Sequence, residues 1–380
     1  MKLFTILGLF FIIVFKTFIS HAVTGISQRE IVLVTNQPLS GPAKSFSYIG
    51  KSSKAYFQYV NDQGGVHGRS INLTIVDDHF RPEKTVQKMS ELIVKTEVFA
   101  VFSGIGNQTF KSIYSLLKEQ NIPSFFVGSD LPEWTQPIKE NIFSFLPNPD
   151  TEARILGKYL TKNHSGSEMI IWYADKPVYL RSVKAITKEL FGVSAKLLPG
   201  KKGRLKAEWN LIVKRNPDIL VALGNFQDLM KLLNAYPKIK IPVFTGHALA
   251  DSRISKWLDV YPMVRVLTSY PLIIEKDNKG VSIHKKILAE YEPNLVPNRW
   301  TLYGHAVAEL MVEVLNRSGR LLNRERAIYS AENISGWEGE LMPQVFLDSG
   351  NHLAMTSFRV SQVLQNKVIH LSEWIDGRLK

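Results

Sequence analysis

The sequence predicts an α/β protein made of two similar lobes, each a parallel sheet flanked by helices, and three observations carry that expectation. Short apolar runs alternate with amphipathic stretches of roughly ten to twenty residues, the succession expected of β-α-β units. The succession halts at Leu146-Pro147-Asn148-Pro149-Asp150, where two prolines stop regular structure and Asp150 is placed to cap the next helix, and then it restarts. The chain has 380 residues, 45% hydrophobic and 21% charged, which is apolar material enough for two cores.

Taken in order, Ile31-Val32-Leu33-Val34 is a β-branched run that predicts a strand over 31–36, and the 3.6-residue spacing of Tyr48, Ile49, Ala55, Tyr56 and Tyr59 predicts a helix over 46–62. Strands at 71–77, 98–102 and 124–127 follow, with helices at 82–95 and 110–119 between them. The second series gives strands at 168–173, 193–197, 219–223, 243–245 and 264–269, and helices at 151–162, 178–190, 206–215, 227–235 and 253–258. Beyond Tyr270 the pattern is helical over 281–291 and 300–318 and closes on strand-like pieces at 344–347, 355–360 and 368–371.

Met1-Lys2 opens an apolar run from Leu3 to Phe15 that leads to Ser20-His21-Ala22, the layout of a secretory leader cut before Val23. That run, about thirteen residues, falls short of the roughly twenty a spanning helix needs. Removing residues 1–22 leaves 358 of the 380 residues and, with Lys2 and Lys16 gone, lowers the formal charge from +13 to +11. Zero cysteines exclude disulfides, thiol catalysis, cysteine–zinc sites and the N-terminal cysteine of a bacterial lipoprotein. A free protein of a Gram-negative periplasm is the expectation.

Positive charge alone does not make a nucleic-acid binder. The densest basic run, "KLLPGKKGRLK" from Lys196 to Lys206, carries no stacking aromatic and reads as a solvated loop leading into a helix, so no nucleic-acid partner is expected. Ser45 to Ser52 comes within one residue of the phosphate-cradling G-x-x-x-x-G-K-[ST] pattern, but the first glycine is missing and Gly50-Lys51-Ser52 lies inside the helical periodicity. There is no G-x-S-x-G elbow and no H-E-x-x-H helix, and the nine histidines are scattered, so neither an enzyme, a metal site nor a cofactor is expected. Asp77-Asp78-His79 looks catalytic in isolation but reads as the structural end of the second strand.

Several separate stretches carry a resemblance: "PLSGPAKSFSYIG" after the first strand, "AYFQYVNDQGGVHGRSINLTIVDDHFRPEKTV", "FAVFSGIGNQT" after the third, "NIPSFFVGSDLPEW" at the fourth, and "WEGELMPQVFLDSGN" near the C-terminus. Together they resemble the periplasmic substrate-binding proteins of ABC importers, in the type I fold and the branch that includes branched-chain amino-acid binders. The resemblance implies two Rossmann-like lobes joined by three crossovers, residues 23–147 with 272–340 forming one and 148–271 with 341–380 the other. It further implies a ligand held between closing lobes and delivered, by a monomer, to a permease in the inner membrane. A periplasmic sensor or accessory protein is the alternative within the same fold.

Loops at the carboxyl ends of parallel strands are where such sheets bind ligands. The Ser40-Gly41-Pro42 turn, followed by Phe46, is the first such loop. In 103–109 the family's serine contact is replaced by Asn107 or Gln108, either of which can donate an amide N–H, while Asn107 can equally cap a helix. By resemblance Ser129 and Asp130 match the segment that binds a ligand carboxylate, and Trp134 is either a cleft wall or a surface-packed indole. From the second lobe the resemblance implies Tyr179 and the loop Asn225-Phe226, with His247 next to Ala248, where amino-acid-binding relatives place a glutamate for the ligand ammonium. Without that anion, an ordinary α-amino acid is not expected as ligand, since a buried unpaired ammonium costs several kcal/mol; a largely apolar, aromatic or lipid-like molecule is.

Overall fold

Residues 24–236 and 238–378 are described by the computed structural model; the leader expected at 1–22 lies outside them. The first sheet contains β1 (Glu30–Gln37), β2 (Ser70–Asp77), β3 (Ala100–Phe102), β4 (Ser124–Val127) and β5 (Ile142–Ser144), all parallel, in the order β2-β1-β3-β4-β5. Its crossover helices are α1 (Ser47–Asp62), α2 (Pro82–Lys95) and α3 (Asn107–Glu119). Every residue of β3, β4 and β5 is buried, as expected of parallel strands covered on both faces.

The second sheet begins after α4 (Pro149–Asn163) with β6 (Glu168–Ala174), α5 (Pro177–Glu189), β7 (Ser194–Gly200), α6 (Leu205–Arg215), β8 (Ile219–Leu223), α7 (Phe226–Asn234), β9 (Val243–Thr245), α8 (Ser255–Leu258) and β10 (Val264–Thr268). Its parallel strands run β7-β6-β8-β9-β10, the same permutation as the first sheet. The chain then returns through α9 (Lys279–Tyr291), α10 (Arg299–Ser318) and α11 (Arg324–Ala331) to the small pair β11 (Ser335–Trp337) and β12 (Val345–Phe346). It ends in β13 (Ser357–Leu364) and β14 (Lys367–His370), which extend the second sheet antiparallel beyond β10, and β15 (Ile375–Asp376), which pairs with β13.

Local chemistry explains the helix starts. Asn148 caps α4 by accepting the Thr151 amide at 2.9 Å, with Pro149 at the first helical position, where its missing N–H costs nothing. Asp150 is therefore not the cap; it sits in the first turn and pairs with Arg181 at 2.9 Å. Helix α10 opens with a reciprocal box between Asn298 and Thr301. It packs against α1 at backbone distance: Ser52 and Ser53 donate to the Thr301 and Gly304 carbonyls at 2.7 and 2.8 Å, and a Cβ on Gly304 would stand 2.2 Å from the Ile49 carbonyl oxygen.

Two expectations change. The basic run from Lys196 to Lys206 is not a loop throughout, because residues up to Gly200 form β7, the edge strand that leaves one side of its backbone to solvent. Elements β5, α11, β11 and β15 were not expected at all; each is too short to show a period. Further along, Leu353 bridges Ser144 beside β5 and the buried His352 meets the Ile142 carbonyl at 2.9 Å, so this stretch packs on the first sheet.

Candidate functional site

Where the carboxyl ends of the two sheets face each other, a cleft of about 860 Å³ opens. Its floor on the first side is backbone: Gly106 and Gly128 follow β3 and β4, and Gly106 holds φ 104°, a conformation that strains any side chain. The walls are aromatic. Phe46 stacks on Phe80 at 5.8 Å and meets the edge of Trp300 at 4.6 Å, with Tyr303 one turn further along α10. Tyr179 and Phe226, the latter 39% exposed, face them from the second lobe.

Phe80 reaches this wall because the backbone is strained. His79 and Phe80 both lie in the left-handed region, at φ 51° and 59°, which costs a side chain roughly 1–2 kcal/mol each. The paired aspartates offset that cost. Asp77 accepts the His79 amide at 3.1 Å, and the fully buried Asp78 accepts the Phe80 amide at 2.9 Å while also holding Asn36 and Thr85. Asp77-Asp78-His79 is thus the structural loop that presents Phe80.

Ser40 does not line the cleft: its hydroxyl donates to Asp77 at 2.9 Å and lies 2.6 Å from His79 Nδ1, so the Ser-Gly-Pro turn is tied back to β2. Ser129 and Trp134 are both 1% exposed and stand behind the lining. Ser129 accepts from Trp134 Nε1 at 2.9 Å and donates to Asn107 at 2.8 Å, while Trp134 packs edge-on to Phe110. Trp134 is neither cleft wall nor surface indole but core, because the turn after Leu131 points it inward. Asn107 does not cap α3, whose cap is Gly106; it donates to Asp130 at 2.8 Å. Phe46, Asn107, Gln108, Asp130, Tyr179, Asn225, Phe226 and His247 are brought together around the cavity, though Asn225 spends its carbonyl capping α7.

Sequence reasoning missed Phe80, Glu152, Arg253, Arg299, Trp300 and Tyr303 in this lining. Glu152 matters most, because it revises the argument from Ala248. Its carboxylate lies against Gly246, where a Cβ would come within 2.2 Å, and it accepts both the His247 amide at 3.1 Å and the His247 ring nitrogen Nδ1. The cleft therefore does contain an anion next to position 248, supplied from α4. Burial, followed by the charges of Asp228, Glu152 and Asp130, pushes the Tyr179 hydroxyl well above the usual tyrosine range and keeps it a neutral donor. Asp251 is held below the usual carboxylate range: burial opposes this, but the Arg253 hydrogen bonds and the Arg299 charge outweigh it.

No group of three or more His, Asp or Glu able to hold a metal occurs among the described residues. Against solved structures, the chain is similar to the "Fatty acid ABC transporter substrate-binding protein from Thermomonospora curvata" (TM-score 0.71, 15% identity, 93% of this chain and 94% of that one). It is equally similar to a "branched chain amino acid ABC transporter from Thermus thermophilus with bound valine" (TM-score 0.72, 15% identity, 92% and 97%). At such identities the likeness is one of fold, the type I periplasmic-binding architecture. The Leu/Ile/Val-binding protein homolog 1 of Brucella abortus (strain 2308) is 22% identical over 168 residues, 43% of this chain and less than half, 44%, of that protein. Residues 31–367 match the model of the family described as "Periplasmic binding protein", and the chain belongs to that family.

Proposed function

We propose that this protein captures a small, largely apolar or aromatic solute between two closing lobes in the periplasm and delivers it to an ABC importer in the inner membrane, without catalysis and as a monomer. The carrying observation is the wall of rings contributed by both lobes, Phe46, Phe80, Trp300 and Tyr303 from one and Tyr179 and Phe226 from the other. Rings offer broad apolar faces to a desolvated ligand. On this reading residues 24–147 with 272–354 move as one lobe against 148–271 with 357–378, and the ligand shifts an open–closed equilibrium by binding the closed form better.

A second reading, an α-amino-acid binder, is favoured by one specific observation: Glu152 and Asp130 supply carboxylates within the cleft. Native mass spectrometry of protein taken from its own periplasm identifies a retained solute, and calorimetry against the twenty amino acids and a panel of aromatic acids, amides and lipids ranks the classes. Micromolar binding of leucine, isoleucine or valine with none of the aromatics would replace the first reading by the second. An unchanged radius of gyration at saturation would remove the closure mechanism from both.

A further inference from the structure

Arg299 is the first residue of α10 and only 9% exposed, and its guanidinium lies 4.7 Å from the centre of the Trp300 ring. Its Nη1 donates across the cleft to the Ala248 carbonyl at 3.4 Å and stands 3.7 Å from the Asp251 carboxylate. That carboxylate is already engaged: Arg253 donates to it through Nε at 3.0 and 3.1 Å and Nη2 at 2.6 Å. Two guanidinium ions thus share one carboxylate, and a positive charge is left over.

Three further facts sharpen this excess. The Nε of Arg299 is buried and has no hydrogen-bond partner. A cation in the first turn of a helix meets the positive end of the helix dipole, where an anion is stabilised instead. The remaining cleft carboxylates have partners of their own: Asp130 receives Asn107, and Glu152 is occupied by His247. Tyr270 lies beside Asp251 and hydrogen-bonds Arg299, but burial pushes its hydroxyl above the usual tyrosine range, so it brings a neutral partner and no negative charge. A nine-tenths buried cation with a free N–H and only part of a counter-ion requires an acceptor that carries charge.

We propose that Arg299, with Arg253 beside it, forms an anion subsite at one end of the cleft that takes a carboxylate of the solute, so that the solute is an aryl-bearing carboxylic acid. Its ring lies among Phe46, Phe80 and Trp300. The subsite is separate from the Gly128–Asp130 loop, where the Asp130 carboxylate repels an anion. The assignment rests on the cleft being the binding site, and its test separates the two claims.

Calorimetric titrations compare three acid–amide pairs, phenylacetate with phenylacetamide, cinnamate with cinnamamide and 4-hydroxybenzoate with 4-hydroxybenzamide, on the wild type and on Arg299→Gln, Arg299→Lys and Asp251→Asn. Thermal melts show that each variant is folded. The acid of a bound pair is expected to bind about thirty- to a hundredfold more tightly than its amide, the range of a hydrogen bond to a charged group. Arg299→Gln removes that preference, Arg299→Lys retains part of it, and Asp251→Asn strengthens acid binding by removing the competing carboxylate, an effect that a purely structural Arg299 does not predict. Equal binding of acid and amide, an undiminished preference in Arg299→Gln, or Asp251→Asn weakening acid and amide alike overturns the anion subsite and leaves the cleft standing. If no member of any pair binds at millimolar concentration, the aromatic reading of the cleft and the subsite fall together.

Discussion

The two lobes repeat one strand order, β2-β1-β3-β4-β5 against β7-β6-β8-β9-β10, yet they bring different chemistry to the cleft. The first contributes mainly rings, Phe46, Phe80, Trp300 and Tyr303, with Arg299 as its inward cation; the second contributes Glu152, His247, Asp251 and Arg253 around Tyr179 and Phe226. A common frame fixes where loops converge, and loop sequence alone decides what they offer. The contrast extends to strain. After β2 the turn places two side chains, His79 and Phe80, in the left-handed region, whereas after β7 the turn puts Gly203 there, at φ 77° with open space around it.

The largest expected effect breaks the strained turn. Asp78→Ala takes the acceptor from the Phe80 amide and leaves Asn36 Nδ2 only the Ile105 carbonyl and Thr85 Oγ1 only the Arg81 carbonyl, and should lower unfolding free energy by about 3 kcal/mol in urea titrations. A loss below about 0.5 kcal/mol, the level of an ordinary surface change, would show that the aspartate does not hold the turn.

Next comes the aromatic wall. Trp300→Ala should weaken binding of the retained solute by about 2 kcal/mol, near thirtyfold, by calorimetry, while Phe226→Ala, from the half-exposed ring of the second lobe, should cost less. A reversed ranking would move the ring-binding surface to the second lobe.

Two glutamates, Glu208 buried and Glu309 half-buried, sharpen the comparison through pH. In the second lobe Glu208 uses both oxygens, accepting from Trp172 Nε1 at 2.9 Å and the Lys201 amide at 2.6 Å. In the first lobe Glu309 accepts the Glu340 amide at 2.8 Å but leaves its other oxygen without a partner, and burial pushes its carboxyl up from 4.5 to about 7. A raised carboxyl binds its proton more tightly in the folded state, so its contribution to stability falls as pH rises from 4.5 to about 7 and is flat above. Glu309→Gln should remove that slope in urea melts across the window and be more stable than wild type at pH 8 by about 1–2 kcal/mol. Glu208→Gln should destabilise at every pH. Parallel slopes for wild type and Glu309→Gln would count against this account.

The smallest effect is Gly203→Ala, which puts a Cβ at positive φ in open space and should cost about 1 kcal/mol by thermal melting. No change at all would mean that the turn relaxes.

Much of this frame was legible because strong periods were present: 82–95, 124–127, 219–223 and 243–245 are the bounds that sequence patterning and structure share. The loops after β1, β3, β4, β8 and β9 were legible as candidate sites because strand ends converge. Side-chain direction within a loop was not, which is why Ser40 and Trp134 turn away from the cleft. Nor was convergence over long separations: Arg299 meets Ala248 and Asp251 only after the chain has built a second sheet and returned. Glu152 was hidden differently, as an ordinary first-turn acid on α4 whose partner, His247, lies 95 residues on.

The close seam between α1 and α10 also governs the order in which the chain can fold. Strands β1 to β5 come from one uninterrupted stretch, but helix α1 must wait for a partner about 250 residues downstream, the 249-residue separation of Ser52 from Thr301. Closing so long a loop is slow, and rate falls as contacts become more distant in sequence. Until α10 arrives, the face of α1 that carries Ile49, Ser52 and Ser53 stays bare, a sticky surface present in every nascent or truncated chain that stops before residue 299.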